Sequence, residues 1–334
     1  MNLRKKTPNH KWIYTYDYAP DQVWEPWRTM EGTPNWINDE AQNVSERANA
    51  HASNGTLSFV LLTDSHYVIN GTWQDTREAI SMLNEKISLD GVIHLGDFTD
   101  GMVNRSLTAK YVRDVFDDFE KIGLNCYATL GNHDCNYFRN NPERLTFNEQ
   151  REIYLQGNES RYYIDYEQKK LRLIFIDSYD VNESLRYGFS NECVHWLNQI
   201  LTHMPSHYST VIFSHLTPLV KLQAWAKEIR NSDAIMEVLN IHSEKIIAYV
   251  NGHNHCDHLF NDGQFPVISI NCAKCEYFIE HKPAGAVVPN RMLGDVSQES
   301  FDIMTIDTEK RKIPFTRFGA GNDRIVSNGK AGWL

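Results

Sequence analysis

Leu57-Ser-Phe-Val-Leu-Leu-Thr-Asp-Ser-His66 joins a short apolar run to a carboxylate and a histidine. Its first seven residues are typical of a buried strand. Helical patterns and further apolar runs then alternate along the chain, at Thr76–Ile87, Gly91–Leu95, Leu107–Ile122 and Asn125–Leu130. Strands that alternate with helices predict an α/β domain with a mainly parallel core.

The second half of the chain continues this alternation and ends in strands. A hairpin is predicted from Tyr162–Tyr166 and Leu171–Asp177, which a short polar turn separates. Helices are expected around 192–202 and 219–239, with strands at 210–214 and 245–250. In the remaining residues strands are predicted at Val267–Ile270, Phe301–Asp307 and Ile313–Phe318, and a long loop is expected at 279–300.

The first 55 residues differ in composition from the rest of the chain. They are polar, rich in Trp and weakly periodic, so we interpret 1–55 as an N-terminal extension packed on the core through its Trp side chains. A mobile arm is the alternative. The main domain then spans 56–334, with a motif-bearing core at 57–260 and a strand-rich C-terminal part at 261–334.

Composition excludes several classes of protein. The 334 residues are 41% hydrophobic and 23% charged, which argues against a disordered or fibrous chain. No run approaches the roughly 20 apolar residues of a membrane-spanning helix, and no signal-peptide pattern opens the sequence. A net charge of −10 disfavours nucleic acid as a partner. Six cysteines without a framework spacing predict reduced thiols, and we expect a cytoplasmic protein.

Polar clusters with metal-ligand chemistry follow five of the predicted strands. They are Asp64-Ser-His66, Gly96-Asp97-Phe-Thr-Asp100, Gly131-Asn132-His133-Asp134, Ser214-His215 and Asn251-Gly252-His253-Asn254-His255. Ligands of open parallel sheets bind at the carboxyl ends of the strands, so the five clusters should converge at one edge. Any one of these histidines alone could be a packed or surface residue, but five ordered clusters predict a metal site.

In this order and spacing the clusters resemble the signature of the calcineurin-like metallophosphoesterase family, over roughly residues 57–260. The resemblance implies a four-layer αββα sandwich with two metal ions at one edge. It implies that Asp64, His66 and His255 hold one ion, and that Asn132, His215 and His253 hold the other. It also implies that Asp97 bridges the ions, and that His133 is the acid near the leaving group, oriented by Asp134.

The residue types agree with that chemistry. Histidine, carboxylate and amide ligands suit Mn, Fe or Zn, and two such ions can activate a hydroxide and clamp the oxygens of an in-line displacement. We expect hydrolysis of a phosphoester, with a phosphodiester of a small or medium-sized organic phosphate favoured. A phosphomonoesterase or protein phosphatase, a nuclease, and a non-catalytic interaction module of the same fold are the alternatives. The oligomeric state is left open.

Other side chains near the motifs are candidates for supporting roles. Asp100 is expected to support a ligand without binding metal itself, and His94 to be packed inside its strand. Tyr67 and Tyr137 could stack on an organic group, and Arg139 could hold a phosphate. The alternative for these three residues is that they only pack their loops.

Overall fold

Two large β-sheets lie face to face in the computed structural model, and helices cover both outer faces. The structure describes residues 4–6, 12–14, 21, 23–28 and 32–334, with the backbone alone for the first two ranges. Arg4–Lys6 (β1) and Trp12–Tyr14 (β2) pair antiparallel as a separate ribbon.

The strands of the two sheets follow in chain order. They are Leu57–Leu62 (β3), Gly91–His94 (β4), Cys126–Ala128 (β5), Tyr162–Tyr166 (β6), Leu171–Phe175 (β7), Ser209–Ser214 (β8), Ile246–Asn251 (β9), His258–Phe260 (β10), Val267–Ser269 (β11), Ser300–Ile306 (β12), Ile313–Gly319 (β13), Arg324–Ser327 (β14) and Lys330–Trp333 (β15). The first sheet has the order β15-β14-β13-β12-β3-β4-β5, and the second has the order β10-β11-β9-β8-β7-β6.

Both sheets are mixed, which corrects the expectation of a mainly parallel core. Strands β3, β4 and β5 are parallel, but β12 to β15 extend that sheet antiparallel. In the second sheet β7, β8, β9 and β11 are parallel, and antiparallel β6 and β10 form its edges. Short turns join β12 to β13, β13 to β14 and β14 to β15, and neighbouring strands joined in this way pair antiparallel.

The helices form the two outer layers. They are Asn35–Asn49 (α1), Trp73–Lys86 (α2), Arg105–Lys121 (α3), Phe147–Tyr154 (α4), Asn191–Thr202 (α5) and Ser232–Ile241 (α6). Side chains of α1 to α4 form one apolar core with the first sheet, and those of α5 and α6 form another with the second sheet. A third core fills the space between the sheets.

Alternation along β3 shows how one strand serves two cores. Val60 and Leu62 face the helices, whereas Phe59 and Leu61 face the other sheet, and all four are fully buried. Successive side chains of a strand point to opposite faces, so an uninterrupted apolar run is what a strand buried on both faces requires. The predicted four-layer αββα sandwich is confirmed.

Several helices differ from expectation. The helix predicted around 219–239 is wrong in its first half, because Arg230 pairs in extended conformation with Tyr187 and Phe189 and Asn231 has a φ of 55°. The helix proper is α6 alone. Helices α1 and α4 and strands β14 and β15 were not expected from the pattern.

The described part of the N-terminal extension contacts the core through three Trp side chains. The Trp24 ring stacks on Tyr67 at 5.6 Å, and its Nε1 donates to the Asn70 carbonyl. Trp27 Nε1 donates to Asp75 at 3.2 Å. Trp36 packs on the helical core from α1, while the side chain of Trp12 lies outside the described residues. A boundary near residue 55 stays a prediction.

Candidate metal centre

The five polar clusters meet at one edge of the sandwich, as the strand-end rule predicts. The loops that carry them follow β3, β4, β5, β8 and β9, whose carboxyl ends point the same way. Five of the cluster residues have left-handed backbone conformations, with φ between 44° and 67°; they are Asp64, His66, Asp97, His253 and His255. Non-glycine residues in this region cost about 1–3 kcal/mol each and concentrate at functional sites.

Two glycines allow these loops to approach each other closely. A Cβ on Gly131 would overlap the Asp97 carboxylate, and one on Gly252 would overlap the Thr63 hydroxyl. Both glycines precede cluster residues in the sequence. Their lack of a side chain therefore brings neighbouring strand ends into contact.

Asp64, His66 and His255 form the first ligand group. Asp64 Oδ1 lies 3.2 Å from His255 Nε2 and 3.9 Å from His66 Nε2. The two imidazole Nε2 atoms are 3.3 Å apart. The other carboxylate oxygen, Oδ2, accepts from the Thr63 hydroxyl and from the His253 backbone N–H, so Oδ1 is the atom turned towards the histidines.

Asn132, His215 and His253 form the second group. His215 Nε2 lies 3.1 Å from Asn132 Oδ1 and 3.1 Å from His253 Nδ1. His215 Nδ1 is 2.8 Å from the Leu95 carbonyl, and a carbonyl only accepts, so Nδ1 carries a proton. In the neutral ring Nε2 then has a lone pair, which faces the Asn132 oxygen with no donor between them.

Asp97 lies between the two groups. Its Oδ2 is 3.3 Å from His215 Nε2 and 4.0 Å from His66 Nε2, one histidine from each group. Its Oδ1 accepts the backbone N–H of His133 at 2.7 Å, which orients the carboxylate. This is the position in which one side chain can contact two ions.

The charges in the cluster favour cations. Burial opposes ionisation of Asp97, but the charges of His215 and His133 outweigh it and hold the pKa of Asp97 below its usual range. Burial likewise opposes a charge on His215, but the Asp97 carboxylate raises the pKa of His215 to about 9. A proton on His215 thus occupies a place that a metal ion would take, and metal binding would release it.

The residues present fit two divalent ions. Asp64 Oδ1, the carboxylate oxygen turned towards the histidines, is buried and has no hydrogen-bond partner among the described residues. Groups of three potential ligands recur across the cluster, each with ligand atoms within 4.8 Å of one another. Buried polar atoms without partners are costly, and converging acceptors without donors are what a bound cation satisfies.

His133 lies beside the cluster with one ring nitrogen turned towards it. Its Nδ1 is 2.8 Å from the Asp100 carbonyl, and its Nε2 is 3.9 Å from Asp97 Oδ2. Burial lowers the pKa of His133 from its ordinary value, against the opposing charge of Asp97. Since the carbonyl fixes the proton on Nδ1, Nε2 is the nitrogen that can gain and give a proton.

The predicted contact from Asp134 to His133 is wrong. The Asp134 carboxylate accepts the backbone N–H groups of Asp97, Phe98 and Gly131 at 2.7–3.0 Å. It therefore ties the Asp97 loop to the Asn132 loop, and the Asp100 carbonyl is the group that orients His133. A carboxylate within reach of three amide donors binds them in preference to a more distant ring.

Asp100 and His94 lie behind the ligand groups, and their supporting roles stay predictions. Asp100 Oδ1 lies 3.2 Å from His66 Nδ1, on the side of the ring away from the cluster. His94 is fully buried, and its ring stacks on Phe98 at 3.7 Å. Its two nitrogens contact the Ser65 hydroxyl and the Gly96 N–H, so neither is directed at the metal centre.

The expected substrate contact of Tyr67 is wrong. Tyr67 is 6% exposed and packs in the helical core between Trp24 and Tyr111. Its neighbour His66 faces the metal centre, and the two adjacent side chains leave the backbone in different directions. Tyr137 and Arg139 do line the pocket above the cluster, where Arg139 lies 4.5 Å over the Phe138 ring.

The pocket over the metal centre has a volume of about 370 Å³ and includes residues that the motifs did not reveal. Glu276 Oε1 lies 2.8 Å from His255 Nδ1. Trp225 donates its indole N–H to the His253 carbonyl and stacks on Phe278 at 5.2 Å. Lys282 Nζ lies 5.0 Å from the Trp225 ring centre.

A signal for one of these residues was available in the sequence. Glu276 follows the predicted strand Val267–Ile270, and the strand-end rule that found the five clusters applies to it as well. In the structure β11 is parallel to β9, so its carboxyl end reaches the same edge. Trp225 and Phe278 lie in irregular loops, where no periodicity identifies a side chain as pocket-lining.

The chain belongs to the calcineurin-like phosphoesterase family, whose pattern it matches over residues 57–257. It is a metallophosphoesterase, an enzyme class that hydrolyses phosphoric esters with the help of two metal ions. A comparison with curated protein sequences found no match.

Two solved structures illustrate the likeness in fold. A dimetal phosphatase from Danio rerio has a TM-score of 0.59 at 17% identity, with 81% of this chain and 98% of that chain covered. GAP50 of Plasmodium, described as the anchor in the inner membrane complex, has a TM-score of 0.51 at 12% identity, with 84% and 88% covered.

No helix in the described part of the chain combines the length and the apolar character that crossing a bilayer requires. The six cysteines are all free thiols, and five of them are buried.

Proposed function

We propose that this protein hydrolyses phosphodiesters of small or medium-sized organic phosphates at a centre of two divalent ions. The observation that carries the proposal is the pair of ligand groups that meet at Asp97 beneath one pocket. Asp64, His66 and His255 would hold one ion, Asn132, His215 and His253 would hold the other, and Asp97 would contact both. Mn, Fe or Zn suits this donor set.

Two ions bound there would lower the pKa of a water molecule and neutralise charge on the phosphoryl group. The protein supplies the positions of the ligands and the low exposure that strengthens electrostatic attraction. Every ligand named above is buried or nearly so.

His133 is proposed as the general acid. Its Nε2 lies at the pocket wall, and its Nδ1 is fixed by the Asp100 carbonyl, so only Nε2 can deliver a proton to the leaving oxygen. Burial lowers the pKa of the free His133, and a bound phosphate anion would raise it again. The acid would therefore be charged when substrate is present.

The pocket walls support an organic phosphate over a macromolecule. Tyr137 and Phe138 lie on one side, Trp225 and Phe278 on another, and a volume of about 370 Å³ suits a small ligand. Arg139 belongs to the same wall and can attract a phosphate charge. The net charge of −10 disfavours a nuclease.

The non-catalytic alternative has some support from the likeness to GAP50, which is described as an anchor. At 12% identity that likeness concerns the fold alone. This chain keeps a complete set of potential ligands and a histidine beside them, which an interaction module does not require. For the location, the six free thiols support a reducing compartment, and we propose the cytoplasm.

The test uses protein loaded with Mn²⁺ and two chromogenic substrates, a bis-nitrophenyl phosphodiester and a nitrophenyl phosphomonoester. We expect a higher kcat/KM for the diester, loss of hydrolysis on chelation, and recovery when metal is restored. Preference for the monoester would make the protein a phosphatase, and faster cleavage of single-stranded nucleic acid would make it a nuclease. No hydrolysis by protein that holds two ions would favour the interaction module.

A further inference from the structure

Glu276 is a carboxylate behind a candidate metal ligand, and no motif in the sequence includes it. Its Oε1 lies 2.8 Å from His255 Nδ1, and its Oε2 pairs with Lys274 Nζ. The Lys274 side chain is 1% exposed, and those of Glu276 and His255 are 14% and 12% exposed. A buried lysine beside a glutamate keeps the carboxylate charged.

This contact decides which nitrogen of His255 faces the metal centre. An ionised carboxylate only accepts hydrogen bonds, so His255 carries a proton on Nδ1, and in the neutral ring the lone pair is on Nε2. That Nε2 is the atom 3.2 Å from Asp64 Oδ1 and 3.3 Å from His66 Nε2. Glu276 therefore directs the His255 lone pair into the first ligand group.

The two ligand groups differ in what lies behind their histidines. In the first group a carboxylate stands behind each imidazole, Glu276 behind His255 and Asp100 behind His66. In the second, the neutral Leu95 carbonyl is behind His215. A carboxylate raises the basicity of a ligating histidine more than a neutral group does, because it stabilises the positive charge that builds up on the ring.

The loop that carries Glu276 is anchored to the strand end that carries Asp64. The backbone N–H groups of Ala273 and Lys274 donate to the carbonyls of Thr63 and Asp64, at 2.8 Å and 3.3 Å. On the other side, the fully buried Arg291 donates to the carbonyls of Cys272, Ala273 and Lys274 at 2.7–3.0 Å. The position of Glu276 is thus tied to the position of Asp64.

A third cation site at this place is disfavoured by the same contacts. His255, Cys272 and Glu276 have potential ligand atoms within 4.8 Å of one another. However, the Lys274 ammonium already pairs with Glu276, and the Cys272 thiol lies 3.3 Å from the Lys274 carbonyl, to which only a protonated thiol can donate. The Lys274 ammonium therefore occupies the position that a third metal ion would need.

We propose that Glu276, held by Lys274, is a positioning residue that makes the Asp64–His66–His255 group the tighter of the two metal sites. This inference rests on the two-ion centre of the proposed function. It predicts two binding steps of unequal affinity. It also predicts that loss of the Glu276 charge weakens the tighter step alone.

The experiment titrates metal-free full-length protein with Mn²⁺ by calorimetry and checks the bound metal by elemental analysis. Glu276→Gln keeps an acceptor for His255 but removes the charge, and should weaken the tighter step about 10–100-fold. Because that variant removes the negative charge beside Lys274, the double variant Lys274→Met/Glu276→Gln is measured as well and should show the same loss. The control is Glu280→Gln, an exposed glutamate four residues further on, which should change neither step.

Two further variants, each with one ligand group damaged, show which binding step belongs to which metal site. In His215→Ala, where the second group is damaged, Glu276→Gln should weaken the remaining step about 10–100-fold. In His66→Ala the same change should alter the remaining step less than twofold. Equal effects in both backgrounds, or no effect in either, would overturn the inference. Phosphodiester hydrolysis by wild type would persist in that case, whereas loss of the proposed function would show as two bound ions without hydrolysis.

Discussion

Two clusters of buried charges lie close together in this protein, and they differ in whether the chain provides hydrogen-bond donors for all their carboxylate oxygens. The metal centre ends at His255, and Asp257 begins a cluster with Asp302, Arg317 and Arg324, all of them 2% exposed or less. In this arginine cluster every oxygen of the two carboxylates accepts at least one hydrogen bond from a guanidinium group. In the metal centre, the buried Asp64 Oδ1 accepts no hydrogen bond from the described residues.

The difference separates structural charges from functional ones. Burying a charge is costly unless a partner compensates it, and the arginine cluster supplies equal numbers of positive and negative partners. The metal centre collects acceptors that face one another, in backbone conformations that are themselves strained. A cluster that is incomplete within the chain is one that a ligand must complete.

The largest effect is expected from Asp97→Asn. The amide has no charge to attract two ions, so we expect a loss of metal at both sites and a fall in kcat of about 10³-fold or more. Asp64→Asn, which affects one ligand group, should cost less. Elemental analysis and diester kinetics measure both variants. A larger loss from Asp64→Asn, with two ions retained in both proteins, would contradict the central position of Asp97.

Arg317→Met is expected to lower stability and to leave metal binding unchanged. It leaves two buried carboxylates without their main partner and should lower the free energy of unfolding by about 3–5 kcal/mol. The folded fraction should still bind two ions, since no metal ligand is touched. Urea denaturation and metal analysis of the folded variant test this. Unchanged stability, or selective loss of metal, would mean that the two clusters do not divide their roles in this way.

His133→Ala separates proton transfer from metal binding. Metal content should be unchanged, and the rate should fall about 10²–10⁴-fold on a diester with an alkyl leaving group. On a nitrophenyl diester the fall should be much smaller, because that leaving oxygen needs little protonation. Equal losses on both substrates would mean that His133 positions the phosphoryl group, and loss of an ion would make it a ligand.

The smallest effect is expected from Trp225→Ala. Removing a stacking surface worth about 0.5–1.5 kcal/mol should raise KM for an aryl diester about 2–10-fold, with little change for an alkyl diester. Tyr277→Ala is the matched control, because Tyr277 is an exposed aromatic residue of the adjoining loop that does not line the pocket. A KM change of equal size in the control would remove the proposed role of Trp225.

Local rules predicted the buried strands and the meeting of the five clusters, whereas the four-layer sandwich was implied by the resemblance to the family. Buried strands have continuous apolar runs, and parallel strands end at the same edge. Helix α1 could also have been found, since its buried Ile37, Ala41, Val44 and Ala48 recur at helical spacing. The antiparallel direction of the C-terminal strands could not be predicted in this way, because it depends on which strand edge of the sheet they pair with.

Side-chain partners were less predictable than positions along the chain. Asp134 follows His133 directly, yet it accepts hydrogen bonds from amides of the Asp97 loop and from Gly131 in its own loop. Tyr67 adjoins His66, but its side chain packs in the core between the first sheet and the helices. Glu276 reaches His255 across 21 residues of chain. Such contacts depend on how loops pack against one another, which a single sequence does not encode in any local pattern.

The central claim is that the buried cluster is completed by two cations, and metal content in active protein tests it most directly. Protein with diesterase activity should contain close to two divalent ions per chain by elemental analysis. Chelation should remove both ions and the activity together, and the Asp97→Asn variant should hold neither. Full activity with one ion per chain, or with none, would contradict the account.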